Sequence, residues 1–527
     1  MIYHCEDHTC NYWDEGEKLP ERCPQCGRKL LRANEADMTG DDWTALGNTL
    51  WDAEASDKKR MVDCFRKAAY LGSAWGVCNL GICMEQGNGV EADPVQAFWL
   101  YQQAVEMGSL NAVCCLGVCY QYGIGTAPDA KQAAELYCKA AEYGSPRGQM
   151  LLARAFHDGI GVEADAAEAV YWVRAAAYQR YGEGMHRLGV CYEYGDGVEQ
   201  NWERAVHWFR EAAESGVGVA MTDLGYCYEK GCGVEQSWEQ AFSWYRRGAE
   251  CGDPVSMCNL GLCYQMGYGV EQNWQEAIKW YEQGAQCGDL QSMHNLACCY
   301  EHGEGVEQNM TEAIRWYTAA AEGGNADDMY ELGWQYDHGE GVEQDMKKAI
   351  CWYERAAEQN HPAAMNSLGE CYAMGRGVPR DLETAMEWYR RAAELGEAMA
   401  DYNMGWHLEQ AGKLSEAYTH YRKAADGNDD SAWWALGRFY ENGVVVAQDG
   451  KEARRCYETG EKLGSVKCKM RLARCKLLGI GGRRAKKAGL DLCRQALELA
   501  KESSEKEDYG YEAEMNLLRR TIAANES

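Results

Sequence analysis

The sequence predicts an all-α protein in which helix-turn-helix repeats stack into an α/α solenoid, preceded by a small metal-binding domain. Three observations lead to this fold class. A Leu-Gly or Leu-Ala pair recurs every 36 residues through most of the 527-residue chain, and glycine-rich turns follow it. Prolines and phenylalanines are scarce, at 8 and 6. Four cysteines with metal-ligand spacing precede the first repeat. Self-similarity at such a period is typical of repeat architectures.

The N-terminal segment contains the pattern of a four-thiolate metal site. Cys5 and Cys10 form a first pair, and Cys23-Pro-Gln-Cys26-Gly forms a second, tight knuckle. Zinc prefers such tetrahedral thiolate sets, and the same ligands also accept iron. His8 offers an alternative ligand to Cys10, but the twelve residues between Cys10 and Cys23 favour the cysteine. We therefore expect structural zinc on Cys5, Cys10, Cys23 and Cys26, with iron as the alternative.

This segment resembles a rubredoxin-like zinc ribbon, through the run from Cys10 to Cys26 with Glu15-Gly16 and Leu19-Pro20 between the cysteines. The first knuckle departs from the family because it is two residues longer than Cys-x2-Cys. The resemblance implies a ribbon domain over residues 1–35, which the metal would largely fold because so short a segment has almost no core.

The repeats are marked by thirteen anchor residues, each the apolar residue of a pair with Gly or Ala. From Leu80 to Met404 every step is 36 residues, whereas the first step is 34 residues and the step from Met404 to Leu436 is 32. The anchors are Leu46, Leu80, Leu116, Leu152, Leu188, Leu224, Leu260, Leu296, Leu332, Leu368, Met404, Leu436 and Leu472. One anchor per repeat predicts about 12–13 hairpins.

One repeat shows why a hairpin is expected. Apolar and small residues around Leu260 lie at i, i+3, i+4 and i+7, which is a single stripe of a first helix. Gly267-Tyr268-Gly269 ends that helix, because glycine adopts the left-handed conformation of a C-cap. Asn273 is a favourable N-cap for a second helix, whose apolar stripe contains Trp280 and Tyr281. Such a hairpin buries its apolar face only when neighbours stack on it.

The complete pattern, Leu-Gly-x-x-Tyr-x-x-Gly-x-Gly-Val and then Ala-x-x-Trp-Tyr-x-x-Ala-Ala-x-x-Gly, resembles the Sel-1-like repeat, a relative of the tetratricopeptide repeat. Instances run from Leu188 to Gly216 and from Leu332 to Ala357. The resemblance implies a right-handed superhelix whose first helices line the concave face, and a role as adaptor or scaffold. We expect the solenoid over residues 36–500 and a capping helix over residues 501–527.

Charge limits the classes of partner. The 53 basic and 82 acidic residues give a net charge of −29, which repels nucleic-acid backbones and anionic membrane surfaces. Loop glutamates recur along one edge and would suit a basic protein segment. They are Glu163, Glu199, Glu235, Glu271, Glu307 and Glu343. Neither a signal peptide nor a membrane-spanning segment is visible. We therefore expect a cytoplasmic protein, of bacterial type.

Several residue columns distinguish the core from a contact surface. The Trp-Tyr pairs of the second helices recur strictly beside alanine, which indicates core packing. The cysteines on one 36-residue register also indicate core packing, and we interpret them as reduced core residues. They are Cys83, Cys119, Cys191, Cys227, Cys263, Cys299 and Cys371.

The column two residues past each anchor varies from repeat to repeat while staying largely apolar. We predict partner contact from this column, with packing between neighbouring repeats as the alternative. The candidates are Tyr226, Leu262, Trp334, Glu370 and Trp406.

The predicted function is a scaffold that binds a protein or peptide on the concave face. The sequence contains no arrangement of nucleophile, base and orienting group that indicates an enzyme. The recurrent Gly-x-Gly is a turn, because it follows a helix and lacks the rest of a phosphate-binding motif. The alternative function is redox or metal sensing, with iron in the four-cysteine site and the solenoid as the docking element.

Overall fold

A computed structural model describes residues 2–5, 13–15, 30–32, 38–51, 55–506 and 512–526. The chain divides into two compact units, Met1–Cys287 and Gly288–Ser527. Within each unit, antiparallel helical hairpins stack so that each helix contacts its neighbours in sequence. All thirteen anchor residues lie on first helices of hairpins, as predicted.

Among its described residues, the first unit contains a small sheet and seven hairpins. Its strands are β1 (Ile2–Cys5), β2 (Trp13–Glu15) and β3 (Leu30–Arg32). They form an antiparallel sheet in the order β2-β1-β3, in which Ile2 pairs with Glu15 and Cys5 pairs with Leu30. Its helices are α1 (Gly40–Thr49), α2 (Ala55–Tyr70), α3 (Ala74–Gln86), α4 (Pro94–Glu106), α5 (Leu110–Tyr122), α6 (Ala130–Glu142), α7 (Pro146–Asp158), α8 (Ala166–Tyr178), α9 (Gly182–Tyr194), α10 (Trp202–Glu214), α11 (Gly218–Lys230), α12 (Trp238–Glu250), α13 (Pro254–Met266) and α14 (Trp274–Gln286).

The part of the second unit that the structure describes contains six hairpins and a last helix that packs against α25 and α26. Its helices are α15 (Leu290–His302), α16 (Met310–Glu322), α17 (Ala326–His338), α18 (Met346–Glu358), α19 (Pro362–Met374), α20 (Leu382–Glu394), α21 (Ala398–Gln410), α22 (Leu414–Asp426), α23 (Asp430–Asn442), α24 (Gly450–Lys462), α25 (Val466–Leu478), α26 (Lys486–Lys506) and α27 (Glu512–Glu526).

The turn of each hairpin follows from its glycines and caps. In the Leu260 repeat, Gly267 ends α13 with a φ of 74°, and the Asn273 side chain accepts hydrogen bonds from the first turn of α14. The second glycine, Gly269, allows close approach to the preceding hairpin, because a Cβ there would lie 2.2 Å from the Trp238 carbonyl oxygen. Gln272 closes the turn by donating to the Gln265 carbonyl oxygen at 2.7 Å. The glycine-rich turn of one hairpin therefore packs against the hairpin before it.

In most hairpins the core contains a tyrosine that lies over a glycine. Tyr281 on α14 is fully buried, and a Cβ on Gly261 would lie 2.5 Å from its ring. The Tyr281 hydroxyl donates to Gln265 at 2.6 Å, so the buried phenol is satisfied within its own repeat. The register cysteines lie beside these rings, and every one of them is buried. Their predicted place in the core is confirmed.

The tryptophans of the Trp-Tyr pairs differ from the prediction of full core packing. The tyrosines, such as Tyr245, are buried, but Trp244 is half-buried. The Arg247 guanidinium lies 4.2 Å from the Trp244 ring centre, and two other repeats have the same contact between a tryptophan and the arginine three residues later. Residues three apart share one helix face, so the arginine covers the ring where the core ends. No helix in the described part of the chain is long and apolar enough to span a membrane.

Candidate partner-binding surface

Exposed apolar side chains lie together on two neighbouring first helices of the first unit, α11 and α13. Tyr226 and Leu262, both predicted as contact residues, are 44% and 41% exposed. Val219, Val255 and Met266 are exposed on the same helix faces, because they lie seven or four residues from these two. We call these five residues the apolar strip.

Buried hydrogen bonds place the two helices of the strip side by side. The Thr222 hydroxyl on α11 donates at 2.6 Å to Asp253, the N-cap residue of α13. The same hydroxyl contacts Ser256, and all three residues are buried. Such a satisfied polar network between apolar columns fixes how the two helices pack. The spacing between Tyr226 and Leu262 is therefore set by the core.

Polar and aromatic residues border the strip. His186 on α9 lies 2.7 Å from Asp223 on α11. The exposed Tyr194 at the end of α9 lies within electrostatic range of Tyr226. The Lys230 ammonium lies 5.8 Å from the Tyr226 ring centre and forms an ion pair with a neighbouring carboxylate, at 2.7 Å. The predicted loop glutamates are all exposed as well. An apolar centre with a charged rim is the composition of many protein interfaces.

A cavity of about 290 Å³ opens between α7, α8 and α9. His157 contacts Asp158 at 2.7 Å and Asp196 at 3.2 Å, and Arg187 approaches Asp196 at 3.7 Å. The hydrogen bond from His157 lowers the pKa of Asp158, so this carboxylate is ionised at neutral pH. Arg154 on α7 completes the polar wall with a 3.4 Å bond to Asp158. The cavity therefore has one polar wall, while Met150, Val170 and Val173 make the rest of its lining apolar.

One cavity residue, Arg154, is not among the predicted contact residues although it has their position in the repeat. Arg154 stands two residues past the anchor Leu152, in the same register as Tyr226. Extending the column from Tyr226 by two repeats towards the N-terminus would have included Arg154. Arg187, which also lines the cavity, lies on α9, the helix that ends at Tyr194.

The remaining predicted contact residues lie in the second unit. Trp406 on α21 is 43% exposed. Trp334 on α17 is half-buried and stacks on His338, with ring centres 4.3 Å apart. Glu370 on α19 accepts hydrogen bonds from Asn366 and Asn403, each at 3.2 Å. Trp406 is therefore the most exposed of the three, while Glu370 is engaged within the fold.

The predicted metal ligands fall largely outside the described residues. Cys5 is the last residue of β1, and its side chain is not described, whereas Cys10, Cys23 and Cys26 lie outside the described residues altogether. Within the part of the chain that the structure describes, no group of three or more His, Cys, Asp or Glu side chains is placed to hold a metal ion. Zinc in the four-cysteine site stays a prediction.

Comparison with known proteins identifies the repeat. The Sel1 repeat pattern matches eleven segments, at residues 76–109, 112–145, 146–181, 182–217, 218–253, 254–289, 290–325, 326–361, 362–397, 398–429 and 432–465. A crystallised protective antigen of uropathogenic Escherichia coli with an SLR fold is 29% identical, with a TM-score of 0.55, over 88% of this chain and 94% of that one. A Sel1 repeat protein from Oxalobacter formigenes is 31% identical over 46% of this chain and 96% of its own, with a TM-score of 0.42. No curated protein matches the chain.

Proposed function

Because the chain belongs to the Sel1 repeat family, we propose that it is a scaffold that holds a protein partner on its first helices. The apolar strip is the observation that supports this function. Tyr226 and Leu262 are more than two-fifths exposed, yet they stand on helices whose positions the core fixes. Full burial of an apolar side chain of this size contributes about 1.5–3 kcal/mol, so covering the exposed two-fifths contributes about 1 kcal/mol, and several such contacts together support a specific complex.

The partner that fits best is a segment with apolar side chains and basic flanks. Its apolar residues would cover Tyr226 and Leu262, and its lysines or arginines would face the exposed loop glutamates Glu235 and Glu271 of the same repeats. The net charge of −29 favours the approach of a basic segment and gives its association rate a strong salt dependence.

Peptide binding to the full chain tests this function. We would measure fluorescence anisotropy with a labelled amphipathic peptide of leucine and lysine, and with its counterpart in which glutamate replaces lysine. The lysine peptide should bind more tightly, and Tyr226→Ser or Leu262→Ser should each weaken it by about tenfold. Tyr143→Ser is the matched control, because Tyr143 is 68% exposed at the end of the second helix α6.

Two outcomes would contradict the proposal. Equal binding of the two peptides would show that the loop glutamates do not contribute to binding. An equal loss of affinity in the Tyr143 and Tyr226 variants would show that exposed tyrosines act without regard to position.

We also propose that Cys5, Cys10, Cys23 and Cys26 hold a structural zinc ion. The cysteine spacing supports this site, and metal analysis of the purified full chain tests it. We expect about one zinc per chain, lost when Cys23 and Cys26 are both replaced by serine. Iron in that place, with its visible absorption, would instead favour the redox or metal-sensing function.

A further inference from the structure

A cysteine, a histidine and an aspartate meet in the second unit, where α15 packs beside α17. His294 and Cys298 lie one turn apart on α15, with His294 Nε2 3.5 Å from Cys298 Sγ. On the other side of the ring, His294 Nδ1 lies 2.7 Å from Asp328 Oδ1 on α17. Cys298 is half-buried and Asp328 is fully buried. A thiol beside an imidazole that a buried carboxylate orients is an arrangement that activates nucleophiles in covalent catalysis.

Asp328 determines the state of the imidazole. The carboxylate lies at the N-terminus of α17, where the Asn325 side chain accepts a hydrogen bond from its backbone N–H at 3.2 Å. The hydrogen bond to Asp328 raises the pKa of His294 to about 10, with a further contribution from Cys298. The ring is therefore an imidazolium at neutral pH. Both of its N–H groups donate, one to Asp328 and the other to the sulfur of Cys298.

A second chain of hydrogen bonds begins at the sulfur, on the side opposite His294. The Tyr317 hydroxyl on α16 lies 3.4 Å from Cys298 Sγ and donates to Glu301 Oε2 at 2.6 Å. Because the phenol proton points to Glu301, the thiol can donate to the phenol oxygen. The thiol proton thus has a path through Tyr317 to the Glu301 carboxylate. This path would leave the sulfur facing the imidazolium.

From this geometry we propose that Cys298 is a nucleophilic thiol that accepts an acyl group from a small activated ester or thioester. The thiol proton moves to Glu301 through Tyr317, and the sulfur attacks the carbonyl carbon. The bond from that carbon to the donor's oxygen or sulfur breaks, and His294 Nε2 gives its proton to the leaving alkoxide or thiolate. The products are a thioester on Cys298 and a free alcohol or thiol. One equivalent reacts per chain, and neither oxidant nor metal is needed.

The site is specific to one repeat. His186 occupies the position of His294 two places before its anchor, and it also contacts an aspartate of the next repeat, Asp223, at 2.7 Å. Four residues further on, that repeat has Val190, so the histidine–aspartate pair has no thiol. The pair is therefore a feature of packing that recurs, and Cys298 adds the reactive atom to it.

Acylation of the full chain with p-nitrophenyl acetate tests the proposal. We expect a burst of about one p-nitrophenolate per chain, with the acetyl group mapped to Cys298 by tandem mass spectrometry. The exposed cysteines Cys251, Cys287 and Cys351 provide a comparison within the same molecule. Cys298 is less exposed, yet it should react about tenfold faster than any of them.

Variants separate the chemistry from folding. Cys298→Ala should abolish the burst, and His294→Gln or Tyr317→Phe should slow it by about tenfold or more. His186→Gln, the matched control, should leave the burst unchanged, and circular dichroism of each variant reports whether it folds. Acetylation of Cys298 no faster than that of Cys351 would overturn the proposal without any variant. A folded His294→Gln variant with the full burst would overturn it equally.

Discussion

Replacing Val445 by glycine is expected to stabilise the hairpin formed by α23 and α24. Val445 occupies the second glycine position of the turn, and its φ is 64°, in the left-handed region. Gly269 and Gly341 hold the same place in other repeats, with φ values of 69° and 71°. A β-branched residue is a rare occupant of that conformation, because its Cβ crowds the following carbonyl oxygen.

The size of the effect follows from three contributions. Left-handed backbone costs an ordinary residue about 1–2 kcal/mol, and a β-branched residue lies at the upper end. Glycine itself costs about 0.5–1 kcal/mol relative to other residues, because it has more conformational freedom to lose on folding, and this cost offsets part of the relieved strain. Val445 is 48% exposed, so removing its side chain sacrifices little apolar burial. The net expectation for Val445→Gly is a stabilisation of about 1 kcal/mol.

Urea unfolding followed by circular dichroism measures the global effect, and hydrogen exchange with mass spectrometry localises it to α23 and α24. The reverse change, Gly269→Val, provides the control. Its Cβ would lie 2.2 Å from the Trp238 carbonyl oxygen, so it should destabilise the first unit by about 2 kcal/mol or more. A Val445→Gly variant of unchanged or lower stability would refute the assignment of strain to this turn.

Three further changes test other contacts. Gly261→Ala places a Cβ 2.5 Å from the ring of the buried tyrosine of its repeat, so urea unfolding should show a loss of about 1–3 kcal/mol. Arg471→Met leaves the buried carboxylate of Glu514, now 2.6 Å from the guanidinium, without its cation; we expect a loss of about 3 kcal/mol and faster hydrogen exchange over α27. Asp328 raises the pKa of His294 to about 10, so this pair stabilises the fold fully below about pH 6.5 and loses that contribution as pH rises through about 10. The stability difference between wild type and Asp328→Asn should therefore shrink from about pH 7 to about pH 10 in denaturant titrations, and a constant difference would contradict the assignment.

The hairpin itself could be predicted from the sequence because its determinants are local. The anchor Leu260, the C-cap Gly267 and the N-cap Asn273 lie within a few residues of the groups they contact, and the structure has each of them in the predicted role. The buried tyrosine was predicted too, since a strict column of aromatic residues beside alanine indicates a core. The half-burial of Trp244 was not, because it depends on Arg247 covering the ring at the edge of the core.

Contacts between side chains of different repeats could not be predicted from the sequence in the same way. Tyr226 and Leu262 were predicted from the variability of their column, but the cavity wall at Arg154 and the cluster around Cys298 were missed. In that cluster His294 and Asp328 are 34 residues apart, so no local period links them.

The sequence by itself determined the helical hairpin, its turns and its tyrosine core, because these depend on backbone conformation and on contacts within one repeat. Only the tertiary structure decided which variable side chains of neighbouring repeats meet. The physical reason is that stacking brings residues about one period apart into contact, while the rotamer and burial of each then depend on all of its neighbours together.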